Sequence, residues 1–219
     1  MDALEPQVVE QIPWERRKEL GFLKALWETW TEVLFSPKIF FQKKSLETSL
    51  GTPLLYAVIL GTLGAFIEIP SLFSHTSYFS RWHTEAEIFR QWTLGSIITA
   101  PLWIALGTWM MAGIYQVGIA LLGGKGGYRA TFRTLCYATS ASVFGVIPWI
   151  GGFVASIYAF FLYLQGFQQC HQISRGRAMG ALLLPVLAGL LIAIIIIALL
   201  AFWMGGTLFN ELPSFRTIA

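Results

Sequence analysis

The chain has 219 residues, of which 55% are hydrophobic and 12% charged, with a net charge of +3 and a mean hydropathy of +0.62. A soluble domain carries about 25% charged residues, so this chain lacks the polar side chains to cover a water-facing surface. It also has far too much apolar side chain for a disordered segment. What remains is an integral membrane protein.

Residues 1–13 read as a tail. Met1–Glu10 holds Asp2, Glu5 and Glu10 and no base, the reverse of a signal-peptide start, so no cleavable signal is expected. Residues 14–48 read as amphipathic and interfacial. Leu20, Leu23, Trp27, Trp30 and Leu34 recur at spacings of three and four, which puts them on one face of a helix that Trp14 opens. Arg16, Arg17, Lys24, Glu28 and Glu32 supply the polar side. Such a helix lies in the membrane interface with its tryptophans at headgroup level, either sensing lipid or a partner or simply anchoring the first span. Ser36 and Pro37 then provide an N-cap and a first-turn proline for a second short helix.

Long gaps between charges locate the spans within a membrane domain over 49–206, since a crossing helix needs about 20 apolar residues. Residues 48–67 are uncharged, and a first span is read at about 53–73. The gap 91–124 is too long for one straight crossing, and Pro101 lies a third of the way along. A short interfacial lead-in and a span at about 102–122 are expected, a single kinked helix being the alternative. The gap 134–174 holds two crossings. Pro148, Gly151 and Gly152 mark the turn between them, giving spans at about 130–147 and 153–167. The last span, about 181–204, is nearly all Leu, Ile and Ala, and 207–219 is a C-terminal tail. The fold expected is therefore all-α, with five transmembrane helices preceded by a cytoplasmic amphipathic helix. An inside N-terminus places twelve of the fifteen Lys and Arg in the cytoplasm, as the positive-inside rule requires. It leaves the C-terminus outside. It also puts Cys136 and Cys170 near the cytoplasmic side, where thiols stay reduced.

Several ordered motifs carry a resemblance. Trp14-Glu15 and Phe35-Ser36-Pro37 come before Phe40-Phe41. Gly123 to Tyr128 (GGKGGY), Thr131 to Leu135 (TFRTL) and Tyr137-Ala138 follow. Pro148, Gly151, Gly152, Gly166, His171, Arg177-Ala178 and Pro185 complete the series. Together, over about residues 14–200, the chain resembles a prokaryotic member of the Yip family of Ypt/Rab-interacting-protein-like membrane domains. The resemblance implies five spans with a cytoplasmic N-terminus. Eukaryotic members act in vesicle traffic and contact Rab GTPases or membrane-curving partners. No counterpart of a Rab-contact segment stands in this sequence, so a Rab-type GTPase partner is not expected.

Candidate chemistry is sparse. Glu68 is the only acid inside a span, and an intramembrane carboxylate suggests a proton or ion role. Its place at the outer end equally suits an interfacial carboxylate. Gln116 is the other intramembrane polar candidate. His171, Arg175 and Arg177 form a cluster that can hold an anionic lipid headgroup or serve only the positive-inside rule. His75, His83, Glu85 and Glu87 share a loop of metal-binding residue types, in a spacing that matches no known site. The Gly123–Gly127 run lacks the order of a phosphate-binding loop and reads as a flexible turn. Ala57, Gly61 and Ala65 form a small-residue stripe for packing inside the bundle or in a dimer. With no aspartate beyond Asp2 and no hydrolase signature, no enzyme, cofactor, metal or nucleic-acid partner is expected. The leading expectation is a membrane organiser or partner-binding scaffold in a bacterial cytoplasmic membrane. Its partners would be the bilayer, another membrane protein or a second copy. The alternative is a transporter or channel for a small solute or lipid.

Overall fold

The structure is a computed structural model that describes residues 11–43, 49–79, 83–147 and 149–211, with side chains described outside 67–94, 97 and 204–211. Among the described residues every regular element is helical. A 3₁₀ turn, Pro13–Arg16, leads into α1 (Arg17–Leu20), α2 (Phe22–Phe35) and α3 (Pro37–Gln42). Then come α4 (Gly51–Phe79), α5 (His83–Leu121), α6 (Gly127–Ala138), a 3₁₀ segment (Thr139–Val146), α7 (Gly151–His171) and α8 (Arg175–Glu211). Two stretches, Ile98–Leu121 and Arg175–Trp203, are long and apolar enough to cross a membrane, and Gly51–Phe66 is a shorter apolar helix.

The N-terminal region differs from one continuous amphipathic helix. Gly21 adopts φ +87°, a conformation that costs glycine little and other residues a good deal. The chain breaks there, and the turn before it folds back onto α2. The amide of Trp14 donates to Thr29 Oγ1 at 2.8 Å, and its indole Nε1 donates to the Thr52 carbonyl at 2.8 Å. The ring meets Phe22 and Tyr56 at centroid distances of 5.3 and 5.7 Å. Trp14 is thus a core residue, fully buried. The segment from Ile12 to Phe41 shares one buried cluster with Tyr56 of α4, Tyr137 and Ala138 of α6 and Leu162 of α7. Pro37 opens α3 as expected, while Ser36 makes no side-chain cap.

Helix α5 runs through Pro101 without interruption, in place of a lead-in followed by a span from residue 102. A proline removes one donor, and in an apolar setting continuing the helix satisfies all the remaining backbone groups. The expected span 130–147 is instead half α-helix and half 3₁₀. Hydroxyls explain the change. Thr139 Oγ1 donates to the Cys136 carbonyl at 2.7 Å and Ser140 Oγ to that of Tyr137 at 2.8 Å, so both side chains engage backbone three residues back. At ~1.5 Å per α-helical and ~2.0 Å per 3₁₀ residue the combined element is ~34 Å long, about the thickness of the hydrocarbon core. Ser140 and Ser142 also tie it to α4, through Tyr56 Oη at 2.7 Å and the Leu60 carbonyl at 3.2 Å.

Pro148 lies outside the described residues. Beyond it, Gly151 closes the turn with its amide on the Ile147 carbonyl at 2.8 Å. A Cβ there would stand 2.5 Å from the Phe144 carbonyl oxygen, whereas Gly152 faces open space. Helix packing elsewhere uses small residues. A Cβ on Gly61 would meet Ile104 of α5 at 2.9 Å, and one on Gly166 would meet Thr134 of α6 at 2.2 Å. With Ala57 fully buried, the Ala57 and Gly61 part of the stripe serves packing within the chain. Helix α8 joins the bundle through Ala178, Ala181 and Leu182, while Val186–Trp203 carries a run of exposed Leu and Ile.

Trp14→Ala removes a buried indole and leaves a cavity, so a loss of ~3–5 kcal/mol is expected. Thermal unfolding of the purified protein in detergent should show a large drop in midpoint for Trp14→Ala and for Gly166→Ala. Leu23→Ala, at a site 77% exposed, should stay near wild type.

Candidate functional site

Helix α2 has two apolar faces. Ala25, Val33 and Leu34 point inward with Thr29 and are buried. Phe22, Leu23 and Trp27 point outward, Leu23 at 77% and Trp27 at 63% exposure. Phe35 and Ile39 extend this outer apolar surface. The six residues expected together at the membrane interface are therefore divided. Trp14 and Leu34 are in the core, Leu20 and Trp30 are half-buried against it, and Leu23 and Trp27 remain outside. The periodicity located the helix, but a helix packed sideways on a bundle buries one flank of its apolar arc.

Charges pin this cap to the bundle. Glu15 faces Arg133 of α6 at 3.6 Å, and Lys43 meets Glu32 at 2.8 Å with its own side chain almost wholly buried. The Tyr158 hydroxyl of α7 donates to the Leu34 carbonyl at the end of α2. Sequence reasoning missed Glu15, Arg133 and Lys43 because these charges lie outside the gaps that define spans. Glu15 does stand beside Trp14 where the family resemblance begins, and that adjacency was the available signal.

Between α2, α4 and the 3₁₀ segment lies an apolar pocket of about 470 Å³. Its walls include Leu26, Trp27 and Trp30 from α2, Leu60 and Leu63 from α4, and Val143.

A second site is polar. The Thr131 hydroxyl donates to Gln116 Oε1 at 2.6 Å and lies 3.0 Å from His171 Nε2. Its one proton is used on Gln116, so His171 Nε2 carries a proton and donates. Gln116 thus belongs to a line of side chains joining α5, α6 and the end of α7. The Gly123–Gly127 turn closes over it. The Lys125 amide donates to the His171 carbonyl at 3.2 Å, and a Cβ on Gly126 would lie 3.0 Å from His171 Nδ1 and 2.4 Å from the Cys170 carbonyl. His171 is fully buried, whereas Arg175 and Arg177 are exposed. The expected headgroup cluster is thus split, because the glycine turn covers the imidazole. Arg177 Nη1 stays beside that turn, 3.6 Å from where a Cβ on Gly123 would sit. The side chain of Glu68 lies outside the described residues, as do those of His75, His83, Glu85 and Glu87. Among the described residues no three His, Cys, Asp or Glu side chains are grouped to hold a metal ion.

The order of these elements and motifs has a counterpart among known families, since the Yip1 domain model matches residues 31–196. The chain belongs to the Yip1 domain family. No curated protein and no solved structure matches it significantly. Family membership and the two long apolar helices together make this a membrane protein of the Yip type. The match begins inside α2 and ends inside α8, so it takes in the polar line and the α4 and 3₁₀ walls of the apolar pocket, whereas the α2 wall (Leu23, Leu26, Trp27 and Trp30) precedes it.

The buried His171 is expected to make the stability of this Yip1 domain depend on pH. It lies beyond the apolar core of α7, and burial lowers its pKa from 6.5 to about 4. The unfolded chain takes up the proton near pH 6.5 and the folded chain only near 4. The stability contributed by the neutral imidazole is therefore complete above pH 6.5 and lost progressively as pH falls toward 4. The thermal midpoint should decline over that window in the wild type and decline less in His171→Gln. Parallel declines would assign the effect to other groups.

Proposed function

We propose that this protein is a non-enzymatic membrane organiser, a partner-binding scaffold that senses or shapes the bilayer. In this reading the chain sits in a bacterial cytoplasmic membrane with five spans, its N-terminus inside and its C-terminus outside. Its partners are the lipid bilayer and either another membrane protein or a second copy. A Rab-type GTPase has no support in the sequence.

The observation that carries the proposal is the outer face of α2. The helix is fixed to the bundle by Trp14, Leu34 and the Glu15–Arg133 pair, yet it turns Phe22, Leu23 and Trp27 outward at 48%, 77% and 63% exposure. Lys24 and Glu28 lie among them and pair at 3.8 Å. An apolar face set beside charges is the pattern of a helix seated at the boundary between headgroups and acyl chains. Held rigidly on one side of the bundle, such a face acts as a wedge in one leaflet.

A second reading, transport of a small solute or lipid, is favoured by the Gln116–Thr131–His171 line inside the bundle. Polar groups between helices are where substrates and protons are handled in transporters. Gln116→Leu should alter any flux measured in proteoliposomes, and a parent protein without flux ends this reading.

The organiser reading is tested with the full chain reconstituted into liposomes of mixed diameter. Wild type should concentrate in the smaller, more curved vesicles. Leu23→Glu with Trp27→Glu should spread evenly while keeping its thermal midpoint, since both side chains are exposed. Identical distributions for the two proteins would defeat the proposal.

A further inference from the structure

The pocket between α2 and the bundle is lined almost entirely by apolar side chains. Leu26 and Trp30 form one wall, Leu60 and Leu63 a second, and Val143 a third. The one hydroxyl in the lining, on Ser142, is already committed to the Leu60 carbonyl at 3.2 Å. Apart from Ser142 the only side-chain polar groups in the lining are the indole N–H groups of Trp27 and Trp30, which fall short of the two to four partners that a buried water needs in most of this space. Leaving it unfilled is also unfavourable, since its walls then lack dispersion partners on one side. At about 470 Å³ the pocket is within the ~300–1,000 Å³ range of sites that hold small ligands.

The rim says where an occupant enters. Leu23, Trp27 and Leu63 line the pocket and are 77%, 63% and 50% exposed. Phe66, one turn beyond Leu63 on α4, is 52% exposed. The pocket is thus continuous with the apolar outer faces of α2 and α4. A space walled by hydrocarbon and opening on an apolar surface of a membrane protein is filled from the acyl region of the bilayer.

We propose that this pocket is a binding site for one acyl chain of a membrane phospholipid, held between α2 and α4 with Trp27 and Trp30 at its mouth. The inference goes beyond the organiser reading, and the site exists whether or not the protein responds to curvature. Its selectivity is for chain length. The pocket accepts a fixed number of methylenes, whereas the glycerol and headgroup remain outside. Gly64 sets the floor: a Cβ there would stand 2.7 Å from Ser142 Cβ, so α4 and the 3₁₀ segment already touch and the pocket cannot deepen.

The test is native mass spectrometry of the full chain released from nanodiscs of defined phosphatidylglycerol, with acyl chains stepped from short to long. One lipid per chain should survive activation that strips the others, and its retention should pass through an optimum with chain length. Leu60→Trp and, separately, Val143→Phe fill the pocket and should abolish the retained lipid. Leu191→Trp, on the exposed part of α8, should keep it. A retained lipid in both filled variants, or none at any chain length in the wild type, overturns the proposal. The chain-length series requires no substitution, so a misfolded variant does not blunt the test. Partition into curved vesicles is read separately. Loss of the retained lipid in the filled variants with curvature preference intact supports the site and leaves the organiser reading untouched. Loss of curvature preference in Leu23→Glu with Trp27→Glu while the lipid is retained supports the outer face as the curvature-responsive part and the pocket as a separate lipid site.

Discussion

The indole of Trp14 is the contact on which the rest of the N-terminal half depends. Its backbone amide holds Thr29 in the middle of α2, and its ring nitrogen holds the Thr52 carbonyl in the first turn of α4. One residue therefore fixes the angle between a helix at the side of the bundle and a helix inside it. Both hydrogen bonds are buried, so neither competes with water and loss of either leaves an unsatisfied group. Arg17 stacks on the same ring at 5.3 Å and adds a cation above it. Around this residue the aromatic contacts run on without a gap, from Trp14 to Tyr56, from Tyr56 to Tyr137 and from Tyr137 to Phe40. The cap is thus attached at both ends, by Trp14 at its start and Phe40 at its close.

Ion pairs reinforce the attachment under conditions that make them strict. Removing charges from water is costly, and a buried pair offsets the cost only while both members are present. Lys43 is buried beside Glu32, and Glu15 is buried beside Arg133. Each pair spans a seam, the first between the end of α3 and α2, the second between the first 3₁₀ turn and α6. A cap that swung outward would carry one member of the second pair away and leave the other stranded in low dielectric. Apolar burial makes the docked position favourable, and the pair makes partial undocking expensive.

Much of the architecture was legible in the sequence because charge-free gaps and punctuation residues have direct physical meaning. The gap 178–210 became α8, and Gly151 closes the turn where it was expected. What escaped was set by neighbours. Nothing in the local pattern says that Thr139 and Ser140 will turn their hydroxyls onto carbonyls three residues back, since that choice depends on Tyr56 offering Ser140 a partner. His171 looked like a basic end residue beside Arg175 and Arg177. Its burial depends on the Gly123–Gly127 turn, whose glycines allow backbone to lie against the imidazole. The run was read as a flexible turn, and in the structure it packs closely on His171. Trp14 fitted a helical face only while Gly21 was treated as helical.

The division of labour within α2 gives the fold its asymmetry. Its inner face has been matched to specific partners and cannot change them without losing the core. Its outer face, with Leu23 at 77% and Trp27 at 63% exposure, has no partner within the described chain that would hold its composition fixed. The apolar pocket lies against α2 through Leu23, Leu26, Trp27 and Trp30, beside its outer face and apart from the buried Ala25, Thr29, Val33 and Leu34. The polar line at Gln116, Thr131 and His171 joins α5, α6 and α7 instead, away from that pocket. Two separately held regions thus coexist in one bundle: a cap with an exposed apolar face, and a buried polar line centred on Thr131.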